Sequence, residues 1–172
     1  NSEDGHSGDV SIKTGSSLGM DAGNIRMVVG DAVGKSGSQY IAAGNSENSV
    51  GGDFSIVSGA SAYAQSGDVV VRTHSGISDT GSIELKTGSS SSGTSGSITI
   101  KTGKGMAGPS GNVELSVGEF ISGQGGEIKL LAGDSSSDNG GNIIVAAGKS
   151  DGESNVGGDI NVVAGTSLQG TG

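Results

Sequence analysis

Along the whole chain, apolar and polar residues alternate in short runs closed at both ends by glycine. Gly81-Ser82-Ile83-Glu84-Leu85-Lys86-Thr87-Gly88 and Gly96-Ser97-Ile98-Thr99-Ile100-Lys101-Thr102-Gly103 are two copies of one pattern: glycine, small polar, apolar, any, apolar, any, small, glycine. The leading glycines are Gly8, Gly23, Gly37, Gly52, Gly67, Gly81, Gly96, Gly111, Gly126, Gly141 and Gly158, at intervals of 15, 14, 15, 15, 14, 15, 15, 15, 15 and 17 residues. Counted from its leading glycine, each of the eleven copies is apolar at the fifth position, from Ile12 and Met27 to Val145 and Val162. The third position is apolar in all but one copy, where Gln39 stands. Apolar residues at a spacing of two, mostly β-branched and bounded by glycine, predict a strand in every copy. A helix is excluded, because the spacing is two and glycine falls in every window.

The same residue types recur at the same positions in every copy, so like positions are expected to stack in register. A meander of antiparallel hairpins would give a repeat about twice as long. The expected fold is therefore all-β: a single parallel β-solenoid, or β-helix, of about eleven coils of 14–17 residues with a flattened two-sheet cross-section. It would cover residues 1–172 as one repeat domain, a fragment of a longer array. The fifth-position residues would be its core. Leu18, Val33, Ile77, Met106, Ile121 and Leu168, at the eleventh position, would form a second inward stripe. The seventh position is mostly small (Thr14, Ala43, Ser58, Thr73, Thr87, Thr102, Ala132, Ala147 and Ala164, against Val29 and Val117), as expected where two sheets converge. His74 stands where the other ten copies carry glycine, a local departure in the turn.

Double glycines leading into a strand, as in Gly51-Gly52-Asp53-Phe54-Ser55-Ile56, resemble the Gly/Ser-rich, short-coil β-solenoid repeats of microbial adhesins, surface fibres and ice-binding proteins, and of large algal cell-surface proteins. The resemblance covers the whole chain and implies an extracellular or cell-surface location. It carries no functional residue with it.

Composition narrows the function classes. Among 172 residues there are 36 glycines, two phenylalanines, two tyrosines and no tryptophan, too few large side chains for a globular core. The formal charge of −9 opposes a grip on nucleic acid or anionic lipid. Cysteine is absent, which removes disulfides and thiolate chemistry. No apolar run approaches the length of a membrane span, so no membrane insertion is expected, and Asn1-Ser2-Glu3-Asp4 is not a signal peptide, so the chain is expected to be a mature or excised piece.

Gly103-Lys104-Gly105-Met106-Ala107-Gly108 matches a dinucleotide-binding fingerprint, but that motif must open a helix and the next segment, Asn112-Val113-Glu114-Leu115, reads as a strand. Gly34-Lys35-Ser36 resembles the end of a phosphate loop, yet Val29 stands where its first glycine belongs. No cofactor is expected. The second position carries Asp9, Asn24, Asp53, Asp68, Asn112, Glu127, Asn142 and Asp159. A row of calcium ligands is one account; short polar side chains bonding nearby backbone is the favoured one, since the calcium-binding repeat itself is absent. With His6 and His74 many copies apart and no convergent acids or nucleophiles, no enzyme is expected.

The expected function is an extracellular structural or adhesive repeat protein whose partners are copies of itself, end to end or laterally, with glycans as another class of ligand. Val28, Ala42 and Val57 in early copies and Leu131, Ala146 and Val163 in late ones hold the outward sixth position and are the candidate self-association residues, so Val57→Lys and Leu131→Lys are expected to weaken lateral contacts. Ice binding is the alternative, on a small-residue row of Ser17, Ala32, Ser46, Ser61, Ser90, Ser135, Ser150 and Ser167 that Phe120 interrupts. Calcium or glycan binding is the second alternative. No Asn-x-Ser/Thr sequon is present.

Overall fold

The computed structural model describes residues 7–166. The expectations placed on His6, Ser167 and Leu168 lie outside these residues. The chain divides into two units, Asn1–Glu84 and Leu85–Gly172. Each is described by itself.

The β-solenoid is not what forms. Among the described residues there is neither helix nor β-strand, and no residue is buried. The accessible surface is 17983 Å², against about 7,600 Å² for a folded monomer of this mass and about 24,000 Å² for the unfolded chain.

The backbone shows why. In Asn1–Glu84 the leading glycine of each copy lands on the seventh residue of the copy before it: Gly23 on Thr14, Gly37 on Val29, Gly52 on Ala43, Gly67 on Ser58 and Gly81 on Thr73. In Leu85–Gly172 the pairs are Gly96 on Thr87, Gly111 on Thr102, Gly126 on Val117, Gly141 on Ala132 and Gly158 on Ala147. At two junctions in each unit a backbone bond closes the contact. The Gly52 and Gly67 amides donate to the carbonyls of Gly44 and Gly59, and those of Gly141 and Gly158 to Gly133 and Gly148, all at 2.9 Å. At Gly30 the hydroxyl of Ser36, the residue before Gly37, donates instead, at 3.1 Å. A parallel stack needs position one over position one. Here position one meets positions seven and eight, a register that cannot propagate a solenoid.

Between these glycines the chain bends once per copy, at 18–20, 33–35, 47–49, 62–64 and 77–78 in the first unit. In the second it bends at 91–93, 106–108, 121–123 and 136–138. The longest interval takes up its two extra residues in a turn where the Asn155 amide donates to the Gly152 carbonyl at 3.1 Å.

Two burial expectations fall with the solenoid. The fifth position is not a core, since Ile100 is 73% exposed and Leu85 76%. The third is more sheltered yet still open, with Ile98 at 55%. The eleventh position is not an inward stripe: Leu18, Val33, Ile77, Met106 and Ile121 stand at the bends, exposed to solvent. Smallness at the seventh position has another cause, the glycine backbone of the next copy pressed against it. Ser58 and Ala132, two of these residues, are among the few that are half-buried. Two large aliphatic side chains per copy, set beside glycine-rich loops, offer too little burial within one chain to offset the entropy of ordering a stack.

Candidate interaction surface

Each copy presents two parts. The segment from position two to position seven contains no helix, bend or turn among the described residues; drawn out as an extended chain it would set side chains at two, four and six on one face and those at three, five and seven on the other. The Glu127–Lys129 ion pair, 2.5 Å between positions two and four, follows that alternation. The loop after position eight is drawn in by serine. Ser17 Oγ accepts the Met20 amide and Ser46 Oγ the Ser49 amide, each at 3.0 Å, and Ser61 Oγ the Ala64 amide at 2.9 Å. In the second unit Ser90 accepts from Gly93 and Ser135 from Asp138, both at 2.9 Å. These tenth-position serines are the row that would have served as an ice-binding face, and their oxygens are engaged in the bends. Where Phe120 replaces serine, its ring lies against Gly123, which adopts φ +136°, a left-handed conformation that favours glycine.

All six candidate self-association residues, Val28, Ala42, Val57, Leu131, Ala146 and Val163, are exposed. They occupy separate segments and share their exposure with the third-position residues and with the fifth-position residues expected to be core. Reading the fifth-position residues as core hid them as surface. Their one signal was quantitative, namely two large side chains for every fifteen residues.

The other sites do not assemble. The second-position acids are not gathered, and among the described residues no group of three His, Asp or Glu side chains lies close enough to hold a metal ion. His74 Nδ1 lies 3.1 Å from the Ser75 carbonyl oxygen, beside Arg72 and Thr73 around an open depression of about 200 Å³. That volume is below the roughly 300–1,000 Å³ of ligand sites. The glycine fingerprint at Gly103–Gly108 opens no helix; it bends at 106–108, and the Gly105 amide donates to Ser110 Oγ at 3.3 Å. Among the described residues no helix is long and apolar enough to cross a membrane.

No protein-family model, curated protein or solved structure matches the chain.

Proposed function

We propose that this chain is an extracellular or cell-surface structural repeat protein that works by associating with copies of itself, as the material of a fibre, sheath or adhesive layer. One observation carries the proposal: the aliphatic residues at the third and fifth positions recur in copy after copy and stay exposed. A soluble monomer seldom leaves so many large apolar side chains open, and exposed apolar surface is characteristic of proteins that meet a partner. Repetition favours the same chain as that partner, since a surface repeated many times along one molecule is matched in spacing by a second copy. Many weak contacts on one chain then act together, each making the next effectively intramolecular.

Sedimentation velocity across a concentration series tests this, with species heavier than the monomer growing in as concentration rises. A monomer at every concentration up to the millimolar range refutes it. Labelling of intact, unpermeabilised source cells with an antibody to the repeat tests the location, and signal appearing only after permeabilisation counts against it.

A further inference from the structure

Charge along the repeat has a fixed polarity. Position two carries the acids Asp9, Asp53, Asp68, Glu127 and Asp159 and no cation, while position six carries Lys13, Arg72, Lys86 and Lys101 and no acid. Over positions two to seven of all copies there are seven acids and six cations, whereas the remaining residues hold eleven acids and three cations. The negative charge of the chain is thus held on the loops, and the apolar segments are close to neutral. Positions two and six are four residues apart with the apolar third and fifth positions between them, a spacing that in an extended segment puts two and six on the same face.

From this we propose that the segments are homotypic docking surfaces, and that a segment meets the same segment of a second copy antiparallel, with position two of one facing position six of the other. The inference rests on the self-association proposed above and specifies its surface and direction. In that alignment Asp9 faces the other copy's Lys13, Val10 faces Ile12, and Ser11 faces Ser11. Likewise Asp68 faces Arg72, and Val69 faces Val71. Third-position residues always meet fifth-position residues, so the apolar rows coincide. A parallel alignment does the reverse, setting carboxylate against carboxylate at position two and cation against cation at position six, and directly opposed like charges are unfavourable. Lys13, Arg72 and Lys101 make no ion pair among the described residues, so they remain available to a second chain.

Three variants in sedimentation experiments at low salt decide the matter. Lys13→Glu/Arg72→Glu makes two segments acidic at both positions, and Asp9→Lys/Asp68→Lys makes the same two basic at both. Each alone is expected to need at least about tenfold more protein than wild type to associate, and a 1:1 mixture is expected to recover wild-type behaviour, because every opposed pair is again complementary. The control Lys35→Glu/Lys104→Glu alters net charge as much as the acidic variant but on the loops, and is expected to associate like wild type. The inference is overturned if the basic variant, whose net charge is nearer zero, associates as readily as wild type or better. A mixture no stronger than its components, or a loop control as impaired as the acidic variant, overturns it too. Wild-type protein that stays monomeric throughout removes the proposed function as well, so the two failures are distinct.

Discussion

Val117 Cγ1 stands so close to Gly126 that a β-carbon on that glycine would lie 2.7 Å from it, whereas a β-carbon on Gly111 would meet Thr102 Cγ2 at 3.7 Å, an ordinary contact. The same junction is therefore strict where the seventh residue is β-branched and apolar, and tolerant where it is threonine. Gly126→Ala is expected to disrupt the junction at 117–126, Gly111→Ala to leave its own intact, and Val117→Ala to restore the first. Amide and methyl chemical shifts across the two junctions report this. Equal perturbation by both glycine variants would show that the contact is not what holds them.

Four leading glycines donate to the carbonyl of the eighth-position glycine of the copy before them, and their exchange behaviour should set them apart. The amides of Gly52, Gly67, Gly141 and Gly158 are expected to exchange with solvent several-fold more slowly than those of Gly23 and Gly96. An intramolecular hydrogen bond is worth about 1 kcal/mol net, which corresponds to a factor of about five. Uniform exchange at all six glycines would contradict the closed junctions.

The serine-held bends give a parallel case. In Ser90→Ala the Gly93 amide loses the oxygen it reaches at 2.9 Å. Its exchange is expected to rise by a similar factor, since serine hydroxyls bonding nearby backbone are a local device whose loss is felt locally. Amides in neighbouring copies should not change. A change spreading over several copies would mean that the bends are coupled.

How far the sequence could be read follows from these residues. One extended segment and one bend per copy were legible from the alternation at Ile83, Leu85, Ile98 and Ile100 and from the glycines around them. The direction in which one copy meets the next was not. A fifteen-residue period is equally compatible with Gly96 lying over Gly81 and with Gly96 lying on Thr87, because both recur at the same interval, and only the second is found. Smallness at Thr87 or Ala132 was visible, but its cause, contact with a glycine rather than convergence of sheets, depends on that direction. Polarity at Ser17 and Ser46 was visible too. The sequence alone does not say whether such hydroxyls face solvent or fold back onto amides three residues on. The candidate association residues at the sixth position were identified from the sequence as exposed. The larger surface at the third and fifth positions was missed, because the fifth position reads as core in a solenoid.

Ile100→Asp separates a buried fifth position from an exposed one. A carboxylate forced into a core without a partner unfolds or severely weakens it. With Ile100 73% exposed, the monomer's far-ultraviolet circular dichroism is expected to be unchanged by the substitution. Association is expected to weaken instead, since a charge is placed in the apolar row. Loss of the monomer's spectrum at a concentration where no assembly exists would return Ile100 to a core.

Val57→Lys tests the direction of docking by its sign. Val57 is 84% exposed at the sixth position, and an apolar patch used for lateral contact would be weakened by a lysine there. Antiparallel alignment gives the opposite result, because position six faces position two of the other copy, and position two of this segment is Asp53. Ser55, at position four, adds no opposing charge, and Phe54 and Ile56 still meet across the contact. Lysine at 57 therefore supplies the cation that Asp53 lacks, and association is expected to strengthen several-fold at low ionic strength. The gain should disappear near 1 M salt, where the screening length falls to about 3 Å, while the apolar contribution of Phe54 and Ile56 persists. Sedimentation of wild type and variant at both salt concentrations gives the four numbers required. A variant weaker than wild type at low salt would restore Val57 to a simple apolar patch and exclude the antiparallel pairing of position two with position six in this copy.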